Sequence, residues 1–173
     1  MIGMAEPLVT LSEAQAFVRV ETGEEEALLA GLIRSASALC ETFLNQVVIA
    51  RDFAVDVPAS NAWQRAPVVP VRAITSVEAV DDAGVAAALP ASSYAIDVDA
   101  SGVGWVRSNV DAKRIRVSGS AGMAAQANDV PEPIRQGVLR LVAHMFASRD
   151  GDGGSPPAAV TALWRPYRRL VLA

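Results

Sequence analysis

The 173-residue sequence contains one cysteine, Cys40, and one histidine, His144. A single cysteine cannot form an intrachain disulfide, which excludes a disulfide scaffold and favours a reducing compartment. The same two counts leave no ligand set for zinc. Any metal chemistry has to be carboxylate chemistry, and any nucleophile–histidine catalysis has to run through His144 alone. Aromatic residues make up only 5% of the chain although 51% of it is hydrophobic, so large side chains are scarce and each matters to the core. Nowhere do about 18 apolar residues follow one another, and Met1 to Leu11 has neither a basic start nor an apolar run. Neither a membrane-spanning helix nor a secretory signal is expected.

Strong positive charge is also missing. Fifteen basic residues stand against 19 acidic ones, with a pI near 5.0, which argues against wrapping nucleic acid by neutralising its backbone. The charge is unevenly placed, however. Met1 to Ala30 holds six acids against Arg19, whereas Arg165, Arg168 and Arg169 near the other end have no acid beside them. Ends of opposite sign suit head-to-tail contacts between copies, or a partner that meets one end only. The length fits one ordinary domain, long enough to bury roughly two thirds of the surface of its unfolded form.

Two helix starts are written near the N-terminus. Thr10 with Glu13, and Thr22 with Glu25, both have the T-x-x-E spacing in which hydroxyl and carboxylate satisfy two orphan amides. The first predicts a short helix from about Ser12 to Arg19. The second predicts a long one from about Glu24 to Val47, with Leu28, Leu32, Leu39, Phe43 and Val47 on one stripe and Leu29, Ile33, Ala36, Cys40 and Leu44 beside it. So wide an apolar arc has to be covered on more than one side, by the chain's own core or by a neighbouring copy.

From Val48 to Val57 the period becomes two, predicting a strand, and Pro67 to Pro70 forces an extended approach to a second, Ala73 to Val80. Shorter alternating pieces follow at Val85–Leu89, Tyr94–Val98, Trp105–Arg107 and Arg114–Ser118, with turns at Asp81–Gly84 and Gly119–Gly122. Short strands separated by turns predict an antiparallel sheet, with no β-helix-β alternation. Pro131 and Pro133 open a helix from about Glu132 to Ser148 with Ile134, Val138, Leu141, Val142, Met145 and Phe146 on its apolar side. A Gly-rich break from Arg149 to Pro157 precedes two helical turns, Ala158–Trp164, stopped by Pro166. The expected class is α+β: a helical core of three main helices, an inserted small antiparallel β region, and a short C-terminal helix with an extended tail. Residues 1–50 and 130–157 form the helical core, 51–129 the β-rich insertion and 158–173 a C-terminal docking segment of one structural domain.

Candidate chemistry is sparse. Asp97, Asp99, Ser101 and Gly102 have the spacing that opens a calcium loop, but its twelfth position is Ser108 and its flanks read as strands, so a turn is expected. Asp81 and Asp82 read as turn residues, Asp150 and Asp152 as loop residues, and His144 and Cys40 as structural. No catalytic residue, cofactor or metal is assigned. The C-terminal segment stands out instead: Trp164, Tyr167, Leu170, Val171 and Leu172 are set among three arginines, the composition of an interface hot spot. It either caps its own helices or docks on something else. Glu24, Glu25 and Glu26 form a helix-start charge run that can also meet another subunit.

Taken in order, these segments resemble one family. Leu11–Ala14 with Val18–Val20, Leu32–Ala36, Pro67–Val71 with Ile74, Ser76 and Val77, Tyr94 with Ile96 and Asp97, Val117–Gly122, Val130–Ile134 and Leu163–Arg168 are similar to the head-tail connector, or adaptor, proteins of long-tailed bacteriophages and gene transfer agents. The resemblance implies a non-enzymatic virion protein at the head-tail junction, in the host cytoplasm before assembly. It implies a dodecameric ring of the chain itself that joins the portal to a downstream neck or tail protein and continues a channel through which DNA passes without specific binding, with no membrane involved. On this reading Trp164, Arg165, Pro166, Tyr167, Arg168, Arg169 and Leu170 anchor the chain on the portal, and deleting 158–173 is expected to leave a folded protein. Glu24, Glu25, Glu26 and Leu39 are expected between subunits. The alternatives are another neck component, a stopper or tail terminator, or a small carboxylate-based enzyme or calcium-binding protein.

Overall fold

The computed structural model describes residues 3, 6–21, 23, 25–148 and 155–170. The chain divides into two compact units, Met1–Met4 with Val47–Met123, and Ala5–Gln46 with Ala124–Ala173. Among the described residues there are four α-helices and two antiparallel sheets, an α+β composition.

The second unit is helical: α1 (Leu11–Val18), α2 (Glu26–Leu44), α3 (Glu132–Ala147) and α4 (Ala158–Trp164), the last running into a 3-10 turn, Arg165–Tyr167. The capping box that starts α1 is formed, with the Glu13 amide donating to Thr10 Oγ1 at 3.2 Å and the Thr10 amide to Glu13 Oε2 at 2.7 Å. An ion pair from Arg135 on α3 to Glu13 joins the two helices.

At the start of α2 the outcome differs from the expected box. Thr22 and Glu24 lie outside the described residues, Glu25 is a left-handed cap at φ 55° with no side-chain capping bond, and the carboxylate reaching back is that of Glu26, accepting from the Gly23 amide at 3.1 Å. A residue in the left-handed region interrupts the register that the box requires. The helix ends at Asn45, also left-handed, so Val47 falls outside it.

Of the two apolar stripes on α2, Leu29, Ile33, Ala36, Cys40 and Leu44 are buried, packed by α1, α3 and α4. By length and composition α2 could cross a membrane; here its apolar stripe is core, and its buried Ser37 hydroxyl accepts from the Leu8 amide at 3.3 Å. On α3, Ile134, Val138, Leu141 and Val142 are buried as their spacing predicts, while Met145 and Phe146 are half-buried.

In the first unit β1 (Arg51–Pro58), β7 (Arg114–Ala121), β3 (Val71–Val80) and β4 (Ala86–Ala88) form a sheet in that order, and β2 (Gln64–Arg65), β6 (Gly104–Ser108) and β5 (Tyr94–Val98) form another, all antiparallel. Strand β7 alternates cleanly, with Ile115, Val117 and Ala121 buried between more exposed neighbours. They join Phe53, Val57, Val77 and, from the smaller sheet, Val106 in one core.

Of the expected turn at Gly119–Gly122, Gly119 to Ala121 are instead the end of β7, and Gly122 follows it. Flanked by β1 and β3 on both sides, the strand has its amides and carbonyls taken up by two ladders, which outweighs the turn preference of Gly and Ser. Gly119 has its own reason: a Cβ there would collide with the Ala73 carbonyl, beside the irregularity that β3 carries between Ile74 and Ser76. The two-residue β2 was not expected, being too short to show a period.

Candidate functional site

The C-terminal segment is built from the inside outward. Trp164 is fully buried; its indole N–H donates to the Ile134 carbonyl at 3.1 Å and its ring lies 5.7 Å from that of Phe43, tilted by 51°. Burying an indole is favourable only if its N–H keeps a partner, and α3 supplies one. Beyond it the backbone is fastened to the end of α2: the Gln46 side-chain amide donates to the Tyr167 carbonyl at 2.7 Å, and the Arg169 amide donates to the Leu44 carbonyl at 2.9 Å. That last bond satisfies one of the carbonyls a helix leaves open at its C-terminus. The Arg168 guanidinium sits 5.2 Å from the centre of the Phe43 ring, a cation–π arrangement.

Seven residues expected to act together are therefore divided. Arg165, Pro166, Arg168 and Leu170 face solvent, Leu170 at 82% exposure, while Tyr167 and Arg169 are half-buried. Trp164 belongs to the core and offers no surface to a partner, which corrects its assignment as an anchor. The same burial argues against the expectation that removal of 158–173 leaves a folded chain, because Val160 and Trp164 are core residues. Val171, Leu172 and Ala173 lie outside the described residues.

On α2 the second apolar stripe faces outward from Leu28 to Leu39, whereas Phe43 beyond it packs against Trp164 and Val47 is buried. Leu28 and Leu39 are 39% and 44% exposed, with Leu32 half-buried between them and Ser35 exposed, at the i, i+4, i+7, i+11 spacing of one helix face. Glu25 and Glu26 are exposed at its start; Glu24 lies outside the described residues.

Among the described residues, those with catalytic or metal-binding potential are not brought together. Among the described residues no group of three or more His, Cys, Asp or Glu is placed to hold a metal ion. Asp99 is the hub of the β5–β6 turn: one carboxylate oxygen accepts from the Ser101 hydroxyl at 2.7 Å and from the Ser101 and Val103 amides, and the other from the Trp105 indole at 3.2 Å. The Ser101 hydroxyl first, then the Val103 amide and the Trp105 indole, hold its carboxyl well below the ordinary carboxylate range. Asp97 is exposed and paired with Trp105 across the strands. Asp81 accepts from the Val85 amide at 2.8 Å in a turn with Gly84 at φ 84°, and Asp82 pairs with Lys113 in solvent. Burial, then Glu41, pushes the Cys40 thiol up and away from its reactive form. His144 is half-buried on α3. Asp150 and Asp152 lie outside the described residues.

One surface escaped the sequence reading, the outward face of β2 and β6, where Trp63, Arg65, Trp105 and Arg107 stand together. The available signal was the repeated W-x-R spacing of Trp63–Arg65 and Trp105–Arg107, which in strands puts each Trp and Arg on one side.

The sequence matches no family model and no curated protein. Solved structures share the fold from end to end. A chain in the neck of an empty gene transfer agent particle computed with C6 symmetry aligns with a TM-score of 0.76 at 24% identity. A chain in the virion of a native gene transfer agent particle gives 0.75 at 24%, and one in the neck of a native particle computed with C12 symmetry gives 0.70 at 23%. Each alignment covers 100% of this chain and 97% of the other. At these identities the likeness is one of fold.

Proposed function

We propose that the chain is a structural, non-enzymatic component of the neck of a gene transfer agent or long-tailed phage particle: a head-tail connector that forms a ring, joins the portal to the next neck or tail protein and continues the DNA channel. The observation that carries this reading is the end-to-end likeness of fold to neck chains of gene transfer agent particles computed with C6 and C12 symmetry. Those symmetries favour a ring, with twelve copies as the proposed number. The formal net charge of -4 suits a channel along which DNA slides without being held.

Within this reading Arg165, Pro166, Arg168 and Leu170 meet the portal, Tyr167 and Arg169 hold the segment in position, and Trp164 fixes it from inside the core. The outward stripe of α2, with Leu39, and the acids Glu25 and Glu26 face a neighbouring copy. Before assembly the protein resides in the host cytoplasm.

The test is the mass of the purified protein by light scattering over a wide concentration range, with and without its cognate portal. Rings in solution, or a monomer that becomes a stoichiometric ring on the portal, are expected. A ring that binds a downstream neck protein but not the portal marks a stopper or terminator instead, and a monomer indifferent to both overturns the neck reading.

A further inference from the structure

The outward face of the smaller sheet carries one triplet twice. Trp63-Gln64-Arg65 and Trp105-Val106-Arg107 run antiparallel, with Arg65 opposite Trp105. This register brings Trp63 opposite Arg107, whose guanidinium lies 4.9 Å from the Trp63 ring centroid. Trp63 is 43% exposed, Arg65 and Arg107 are exposed and Trp105 is half-buried. The Trp105 indole is steered by its bond to Asp99. With Asp97 the two indoles line a hollow of about 280 Å³. Asp97 offsets one of the two guanidinium charges and the oxygens of Asp99 are taken up by the turn, so the rim is net positive. Two of the three tryptophans in the chain thus stand on a solvent-facing surface beside arginines, the pair of residue types most enriched at binding hot spots.

We infer that this face receives the first turn of α2 from a second copy of the chain, with Leu28 seated between Trp63 and Trp105 and the carboxylates of Glu21 and Glu25 against Arg65 and Arg107. Complementarity carries the assignment. Leu28 is 39% exposed and stands among exposed acids, Glu21, Glu25 and Glu26, in the stretch where six acids meet one arginine. An apolar knob with an acidic rim matches an apolar hollow with a basic rim in both respects, and opposite charge fixes register as well as attraction. The two surfaces differ, so the contact is heterologous and propagates head to tail, the kind of contact a closed ring requires. The inference rests on the proposed ring and names its joint.

A charge exchange tests it. Three variants are prepared: R65E/R107E, E21R/E25R, and the combination of all four; Glu26 is kept because its carboxylate holds the Gly23 amide. Each is compared with the wild type by melting temperature and by light-scattering mass, with and without portal. Each pair alone is expected to reduce the ring fraction at least tenfold without loss of fold, and the combination is expected to restore it. R65E/R107E that assembles like the wild type overturns the joint and leaves the neck reading standing. A combination that melts like the wild type yet stays monomeric overturns the pairing of these two surfaces. A wild type that makes no ring under any condition overturns both.

Discussion

The indole of Trp164 occupies the space in which a Cβ at Gly137 would lie. A glycine in the middle of α3 costs helix stability relative to alanine, and here that cost makes room for the largest side chain of the core. G137A is expected to lower the stability of the helical unit by about 1–3 kcal/mol through overpacking. W164A, which leaves a cavity and removes the indole's added bond to the Ile134 carbonyl, is expected to cost about 3–5 kcal/mol. Urea unfolding of both variants checks this: a G137A protein as stable as the wild type would mean that α4 does not pack as described.

In the proposed reading the C-terminal segment keeps its buried side chains for folding and its exposed ones for docking. Deletion of 158–173 is expected to abolish the cooperative melting of the helical unit, because Val160 and Trp164 leave with it. R165E/L170A, by contrast, alters only exposed side chains and is expected to keep the wild-type melting temperature while losing portal binding. Portal binding unchanged in R165E/L170A would take the anchor away from this segment.

Leu39 lies on the outward face of α2, where a charge costs the monomer little. L39E is expected to melt within a degree or two of the wild type and to form no ring. Rings made by L39E would take Leu39 out of the subunit contact without touching the joint at the first turn of α2, and an insoluble L39E would show that the face is needed for folding.

Asp99 contributes to the pH dependence of stability, as do Glu13 and Asp56, whose carboxyls are also held low. The folded value of Asp99 lies below its unfolded one, so the stability it contributes is present above the ordinary carboxylate range and is lost as pH falls through the folded value. D99N is expected to melt below the wild type at neutral pH, with the difference shrinking on acidification. Added calcium is expected to leave the wild-type melting temperature unchanged, since the oxygens are already engaged; a rise with calcium concentration would indicate a bound ion.

Much of the fold is legible because it is written in local chemistry. Thr10 and Glu13 specify a helix start between themselves, and the alternation of Ile115 and Val117 specifies a strand that needs only a core to face. The long-range partners are not written locally. Gly119 and Ser120 read as turn residues and become strand because β1 and β3 lie on both sides of them. Trp164 reads as an interface residue because its spacing says nothing of Gly137, distant in the chain. Leu28 and Leu39 sit on a stripe as apolar as the buried one, and only the packed helices reveal which stripe is left open. The Trp–Arg face went unread because β2, at two residues, is too short to announce a strand.

The stretch from Val47 to Met123 begins and ends at one place, where the Met123 amide donates to the Val47 carbonyl at 3.1 Å. As unstructured chain, a loop of that length adds about 4 kcal/mol of closure entropy to bringing α2 and α3 together. Once the sheets have formed and their ends have met, that cost has already been met within the β unit, and the two helices behave as near neighbours in sequence. The expected kinetic consequence is an order of events: long-range contacts of the helical unit such as Arg169 with Leu44 and Arg135 with Glu13 close at lower entropic cost once the sheets have formed. Destabilising the β core, for example by V117A, is therefore expected to slow the refolding of helices that it does not belong to, as stopped-flow refolding would read.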